Sequence, residues 1–284
     1  MNQRAGVVGA GLMGAEIALV YALSGRSVIL ADTTDEKLEA ARQRLSALME
    51  KGISRGLYKP EDKAALARIE TTTDLQRFSD CSVVTEAVFE SMEVKSAVLK
   101  QLDSVCAPQC MIASNTSTLP ISTLASHLSA PRRSRFLGMH YFSPVTRMKL
   151  VEVIPAFDTS EETLASALEL ARDLGKAPIR VKDVTGFAVN RVLHAFVIEA
   201  IRLVEEGVAT PEDIDTACKL GLGHPIGPFE LMDATTSSLC LQVQEILQEA
   251  YGERFRPRPL LKQRVRAGLV GGRTAQGWRP KSQK

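Results

Sequence analysis

The sequence predicts an α/β fold, a doubly wound sheet with helices on both faces, followed by an all-helical C-terminal domain. Up to about residue 183, short apolar runs alternate with helical patterns, as in βαβ units. The strand patterns then stop, and a long helix at 188–206 has apolar residues on more than one side, so it needs several packing partners. We therefore expect one domain at 1–184 and a second at 185–284.

The first element is a strand, a glycine turn and a helix in direct succession. An apolar run at 5–8 leads into Gly9, Gly11 and Gly14, and a helical pattern follows. In a Rossmann-like fold the first glycine permits a tight turn, the second lets the backbone approach a pyrophosphate, and the third lets helix and strand pack closely. The turn is therefore predicted to bind a dinucleotide through Gly9, Gly11, Leu12, Met13 and Gly14.

A second apolar run at 27–31 delivers Asp32 to the end of the next predicted strand. An acid at this distance from the glycines hydrogen-bonds the adenosine ribose hydroxyls in dinucleotide folds. Asp35 follows closely and no arginine is adjacent, so a 2′-phosphate would meet negative charge. We therefore expect NAD rather than NADP, while FAD, which uses a similar fingerprint, stays open.

The remaining elements of the first domain follow the same alternation. Helices are predicted at 38–51 and 94–105, and strands at 81–88, 111–113, 136–139, 150–154 and 179–181. The later helix patterns, which are broken by Gly and Pro, continue to residue 269. We expect the helical domain to supply a homodimer interface as well.

Composition narrows the class of protein. The 284 residues are 45% hydrophobic and 24% charged with a net charge of +2, which indicates neither a nucleic-acid partner nor an anionic membrane surface. No apolar stretch approaches the ~20 residues of a membrane span, and no signal peptide is expected. The five cysteines form no C-x-x-C pair and are expected to be reduced thiols, consistent with a cytoplasmic protein. No metal site is predicted.

Candidate catalytic side chains stand at the ends of predicted strands. Ser117 follows one strand and His140 ends another, at the sheet edge where ligands bind in doubly wound folds. Glu152 lies inside a strongly apolar strand, where a carboxylate needs a partner. A histidine held by a carboxylate has a fixed tautomer and can accept a proton. A core histidine and a solvent-facing glutamate remain the alternatives.

Several segments together resemble the two-domain (S)-3-hydroxyacyl-CoA dehydrogenases nearly from end to end. The matching segments are 9–14, 86–90, 114–117, 138–144, 148–153, 186–191 and 224–231. The resemblance implies NAD-dependent, reversible oxidation of a 3-hydroxyacyl-CoA to the 3-oxoacyl-CoA, as in fatty acid β-oxidation.

The resemblance also implies roles for individual residues. His140 is the catalytic base and Glu152 its orienting carboxylate. Ser117 and Asn190 hydrogen-bond the substrate near its reacting oxygen or thioester carbonyl. Asp32, Glu90 and Lys95 contact NAD, and Ser117 belongs to the cofactor site too.

Three positions depart from the family pattern. Ser143 replaces the usual asparagine on the cofactor side, Thr185 replaces a proline before the G-F-x-x-N-R run, and Arg273 replaces a lysine that reaches toward the cofactor. Ser143 and Arg273 are still expected at the cofactor site.

The phosphates of CoA require an exposed cationic surface. The candidates are Lys51, Arg55 and Lys59, with Lys63 beyond them, although each alone also fits a solvated helix face.

Two other classes of function stay open. One is an NAD-dependent dehydrogenase of a free hydroxy acid, such as a sugar acid or carnitine, which needs no CoA surface. The other is a non-catalytic NAD-binding structural protein.

Overall fold

The computed structural model describes residues 4–272 and 274–279. The chain divides into two compact units, Met1–Val184 and Thr185–Lys284.

The first unit is built on one eight-stranded sheet with the order β3-β2-β1-β4-β5-β6-β7-β8. Its strands are β1 (Ala5–Val8), β2 (Val28–Ala31), β3 (Ile69–Thr72), β4 (Val83–Glu86), β5 (Met111–Ser114), β6 (Phe136–Tyr141), β7 (Leu150–Pro155) and β8 (Ala177–Arg180). The order runs outward in both directions from the β1–β4 pair. Such a reversal opens a crevice at the carboxyl ends of the two strands, where doubly wound folds bind ligands.

Neighbouring strands are parallel except for β6 and β7, which pair antiparallel. The sheet is therefore mixed, whereas the βαβ pattern suggested parallel strands throughout. Only residues 142–149 join β6 to β7, and a parallel return requires a longer crossover. The antiparallel register sets His140 opposite Glu152.

Helices cover the sheet of the first unit. They are α1 (Leu12–Leu23), α2 (Asp35–Ser54), α3 (Met92–Val105), α4 (Ile121–Ala125), α5 (Ala130–Arg133) and α6 (Glu161–Asp173), with 3₁₀ helices at Pro60–Arg68 and Leu75–Phe78. The side chain of Thr34 caps α2 by accepting from the Lys37 backbone N–H. Ile17, Leu19 and Tyr21 of α1 are fully buried, and α1 packs against β1, β2 and α2.

In the second unit, all regular secondary structure within residues 185–272 and 274–279 is helical, in agreement with the predicted all-helical domain. Its helices are α7 (Val189–Glu205), α8 (Pro211–Gly221), α9 (Pro228–Thr235), α10 (Ser237–Tyr251) and α11 (Pro259–Arg266), with a 3₁₀ helix at Glu253–Phe255. Ile201, Phe229, Leu261 and Trp278 form part of its core. In the part of the chain that the structure describes, no helix is long and apolar enough to cross a membrane.

Candidate active site

The glycine turn has the close packing that the sequence predicts. Gly9 has a φ of +102°, a conformation that favours glycine. A Cβ added at Gly14 would lie 1.8 Å from the Gly9 carbonyl oxygen, so only glycine fits there. Gly11 is the N-cap residue of α1, and no side chain accepts a hydrogen bond from the helix there. The N–H groups at the start of α1 therefore have no side-chain cap, as a phosphate site requires.

Asp32 holds this turn from the end of β2. Its Oδ2 accepts from the Ala10 backbone N–H at 2.7 Å, and its Oδ1 accepts from the Thr33 N–H at 2.7 Å. Lys37 Nζ lies 3.1 Å from Oδ1, a contact that the sequence analysis did not anticipate. Burial alone would raise the pKa of Asp32, but the N–H donors and Lys37 lower it overall. The side chain is therefore ionised at neutral pH.

A cavity of about 720 Å³ lies over the carboxyl ends of β1, β2 and β4. Its lining includes Gly9, Gly11, Leu12, Met13 and Asp32. Val94, Val98 and Gln101 from α3 contribute to its opposite wall. Cavity volume, turn geometry, free helix N–H groups and the ionised acid together fit the adenine dinucleotide NAD.

His140 and Glu152 form a buried pair across the β6–β7 ladder. His140 Nδ1 lies 2.8 Å from Glu152 Oε2, and the Glu152 side chain is 0% exposed. An ionised carboxylate only accepts hydrogen bonds, so Nδ1 is the donor of this bond with Glu152 as carboxylate. The lone pair of the neutral imidazole is then on Nε2.

Ser117 meets that second nitrogen. Its Oγ lies 3.0 Å from His140 Nε2, so serine, histidine and glutamate form one hydrogen-bonded row. Asn115 fixes the same loop because its Oδ1 accepts from the Tyr141 backbone N–H at 2.9 Å. The sequence had placed Asn115 in the motif without a role, since this contact joins segments far apart in the chain.

Lys95, Glu86 and Glu90 form a charged cluster beside this row, in which Lys95 and Glu86 are buried and the Glu90 side chain is 33% exposed. Lys95 is 1% exposed, and its Nζ lies 2.8 Å from Glu86 Oε1 and 3.2 Å from Glu90 Oε2. The Lys95 ammonium also donates to the Val88 carbonyl at 3.2 Å. The three groups around Lys95 Nζ match the three donors of an ammonium.

The remaining predicted site residues are Ser143, Asn190 and Arg273. Ser143 is exposed and precedes Pro144 through a cis peptide bond, in the segment that follows His140. Asn190 is in the first turn of α7, in the second unit. Arg273 lies outside the described residues.

The proposed CoA cations lie at the surface of the first unit. Lys51 is in the last turn of α2, Arg55 follows that helix, and Lys59 precedes the 3₁₀ helix at Pro60–Arg68. All three are exposed. Lys63 differs, because its Nζ lies 3.5 Å from Glu50 Oε1.

The described residues were also compared with the requirements of a metal site and of a reactive thiol. Across 4–272 and 274–279, no group of three or more His, Cys, Asp or Glu side chains is arranged to hold a metal ion. The five cysteines are all free and buried. Burial raises the pKa of the Cys81 thiol to about 12, and likewise that of Cys240 to about 12, so neither is a thiolate at neutral pH.

Comparison with known proteins identifies the family of this chain. The family model for the NAD-binding domain of 3-hydroxyacyl-CoA dehydrogenase matches residues 4–184, and the model for the C-terminal domain of the same family matches residues 186–280. A probable 3-hydroxybutyryl-CoA dehydrogenase of Deinococcus radiodurans is 42% identical over 274 residues, which cover 96% of this chain and 98% of that protein. The mitochondrial hydroxyacyl-coenzyme A dehydrogenase of Sus scrofa is 39% identical, over 96% of this chain and 89% of that protein.

A solved structure gives the same result. The crystal structure of (S)-3-hydroxybutyryl-CoA dehydrogenase from Ralstonia eutropha matches with a TM-score of 0.93 and 38% identity, covering 100% of both chains. The resemblance stated from the sequence, the Rossmann-like fold and the NAD cofactor are thus confirmed. The chain belongs to the 3-hydroxyacyl-CoA dehydrogenase family and is an NAD-dependent oxidoreductase.

Proposed function

We propose that this chain oxidises the 3-hydroxyl of an (S)-3-hydroxyacyl-CoA reversibly, with His140 as general acid and base. The observation that carries the proposal is the row in which Ser117 Oγ lies 3.0 Å from His140 Nε2 and His140 Nδ1 lies 2.8 Å from Glu152 Oε2. A base held at one nitrogen by a buried carboxylate offers the other nitrogen to a substrate hydroxyl.

The proton step follows from this tautomer. NAD, when bound, supplies the acceptor for the hydride from C3. His140 Nε2 takes the hydroxyl proton, and Glu152 stabilises the imidazolium that results. Ser117 hydrogen-bonds the reacting oxygen as hydroxyl and as ketone. Asn190 binds the thioester end of the substrate, a role that rests on the family resemblance.

The cofactor contacts are proposed at the carboxyl end of the sheet. The pyrophosphate binds at Gly9, Gly11, Leu12, Met13 and Gly14, and the adenosine ribose binds at Asp32. The cavity of about 720 Å³, which is lined by Gly9, Gly11, Leu12, Met13 and Asp32, supports this part. Ser143 and Arg273 remain proposed cofactor contacts by resemblance alone.

The cationic surface of Lys51, Arg55 and Lys59 is proposed to bind the CoA phosphates. Support comes from their exposure and from the absence of an ion pair at any of the three among the residues described. Lys63 is left out because Glu50 already pairs with it.

The assembly is proposed to be a homodimer through the second unit, in the cytoplasm. Support comes from three large apolar side chains of the second unit, Val192, Leu220 and Leu222, which are 73%, 84% and 64% exposed. Free thiols at all five cysteines fit a reducing compartment. Light scattering coupled to gel filtration tests the dimer, and a monomer at micromolar concentration would exclude it.

Substitution of the proposed base tests the mechanism. His140→Ala should lower kcat by about 10²–10⁴-fold, the usual contribution of a positioned base, and leave the Kd for NADH nearly unchanged. Glu152→Gln should be less severe, because the amide oxygen can still accept from Nδ1.

His127, a half-buried histidine outside the row, is the matched control, and His127→Ala should keep wild-type kcat. Wild-type turnover in His140→Ala would remove this histidine from the mechanism. Stopped-flow measurement of NADH consumption with acetoacetyl-CoA gives both rates.

A further inference from the structure

Glu90 receives an unusual number of hydrogen bonds at one oxygen. Its Oε1 accepts from Thr116 Oγ1 at 2.6 Å, from the Ser117 N–H at 2.8 Å, and from the N–H and Oγ1 of Thr118 at 3.0 and 3.1 Å. All four donors belong to the loop between β5 and α4. That loop carries the hydroxyl that contacts His140 Nε2.

The other carboxylate oxygen of Glu90, Oε2, forms an ion pair with Lys95. Lys95 Nζ lies 3.2 Å from Glu90 Oε2, and Lys95 is 1% exposed. Glu86 fixes Lys95 in turn at 2.8 Å, and Glu86 Oε2 accepts from Ser114 Oγ at 2.6 Å. Glu90 thus contacts a buried cation through Oε2 and the loop at residues 115–120, which contains Ser117, through Oε1.

Only an ionised carboxylate suits this position. Burial alone would raise the pKa of Glu90, but the charge of Lys95 and the loop donors lower it overall. A carboxylate accepts at both oxygens, which matches donors on both sides. A glutamine amide would direct N–H groups either at Lys95 or at the loop donors, so one side of the contact must be lost.

We propose that Glu90 is a positioning residue that acts through Ser117, keeping the Ser117 hydroxyl in place beside His140, with Lys95 as its anchor. The proposal rests on the roles proposed above for Ser117 and His140. It gives Glu90 a task in the chemical step, in contrast to the NAD contact implied by the family resemblance. The two roles differ in which constant they control, because positioning affects kcat and cofactor contact affects the Kd for NADH.

The magnitude follows from geometry. Misplacement of a reacting group by about 1 Å can cost 10²-fold in rate. Glu90→Gln should therefore lower kcat by about 10- to 100-fold at saturating NADH and acetoacetyl-CoA. The Kd for NADH, measured by fluorescence titration, should stay within about 3-fold of the wild type.

A double-mutant cycle with Ser117→Ala tests whether the effect passes through the serine hydroxyl. In the Ser117→Ala background that hydroxyl is gone, so Glu90→Gln should change kcat by less than about 3-fold. Glu93→Gln is the control, since Glu93 is an exposed acid on α3 and its loss makes the same change in charge. Glu93→Gln should leave kcat unchanged in each background, relative to the same background with Glu93 intact.

A second, milder variant tests the same contact in case Glu90→Gln fails to fold. Thr118→Val removes one donor to Oε1 and keeps the shape of the side chain. It should lower kcat by about 3- to 10-fold, again only when the Ser117 hydroxyl is present.

Four results would overturn the proposal. The first is an equal fall in kcat in both backgrounds, and the second is unchanged kcat in Glu90→Gln with a Kd for NADH raised more than about tenfold. If Ser117→Ala lowers kcat but Glu90→Gln does not, the positioning role of Glu90 is refuted and the role of Ser117 is not. Wild-type kcat in Ser117→Ala refutes the role of Ser117, and the positioning role with it.

Discussion

The two carboxylate oxygens of Asp32 have different partners. Oδ2 fixes the glycine turn through the Ala10 N–H, and Oδ1 faces Thr33 and Lys37. Because the pKa of Asp32 is lowered overall, the carboxylate remains charged at neutral pH. The same charge that orders the turn is available to repel a 2′-phosphate. Lys37 offsets part of that repulsion, and we expect the remaining negative charge of Asp32 to favour NAD over NADP.

Asp32→Ala should therefore narrow the preference for NAD over NADP. The change removes both the ribose acceptor and the negative charge, so kcat/KM for NAD should fall about 10-fold or more while that for NADP changes less. Glu39→Ala, which removes an exposed acid farther along α2, should leave the ratio unchanged. A wild-type enzyme that prefers NADPH would contradict the assignment.

Residues of the site differ in how far the sequence could predict them. Glu152 in an apolar strand required a partner, and His140 lies 2.8 Å away; their catalytic roles stay predictions. Lys37 and Asn115 were missed because their contacts appear only after folding. Lys95 was expected to contact the cofactor, but its local sequence did not indicate that it would form ion pairs with both Glu86 and Glu90.

At the scale of elements, the buried strands were predicted, whereas the edge strand β3 was missed. Every residue of β1, β2, β4 and β5 is buried, and each of these strands contains at least two consecutive apolar residues. β3 has the sequence Ile-Glu-Thr-Thr and lies at the sheet edge, so it carries no apolar run by which it could be recognised. The direction of β7 depended on the short connection after His140 rather than on any property of the strand.

The C-terminal end of α2 gives the prediction at this scale. Arg55→Glu should raise the KM for a CoA substrate about 3- to 10-fold with little change in kcat, the signature of lost uniform binding. Higher ionic strength should raise the wild-type KM as well, because contacts between exposed charges are screened.

Arg172→Glu is the matched control, as Arg172 is an exposed arginine in the last turn of α6. It should leave the KM unchanged. A KM for acetoacetyl-CoA that responds neither to Arg55→Glu nor to salt would exclude this surface as the CoA site.

For the whole molecule, stability should fall in mild acid because of His194. Burial lowers the pKa of this histidine from 6.5 to about 4, so the folded chain binds its proton later than the unfolded chain. Between these values the unfolded state holds more protons, and the free energy of unfolding decreases as pH falls from 6.5 towards 4. The full shift corresponds to about 3 kcal/mol.

Urea denaturation at pH 7 and pH 5 measures this loss. His194→Gln should be less stable at pH 7 but should lose less stability on going to pH 5. His224, which is exposed, serves as the control position, and His224→Gln should retain the wild-type pH dependence. An identical pH dependence in wild type and His194→Gln would contradict the assignment.

The most direct test of the central claim compares two ketone substrates under NADH-dependent reduction. Steady-state kinetics with acetoacetyl-CoA and with free acetoacetate report whether the enzyme requires the CoA thioester. We predict that kcat/KM for acetoacetyl-CoA exceeds that for acetoacetate by about 10³-fold or more, since the free acid lacks all phosphate and thioester contacts. Equal efficiency on the free acid would contradict the account and indicate a dehydrogenase of free hydroxy acids.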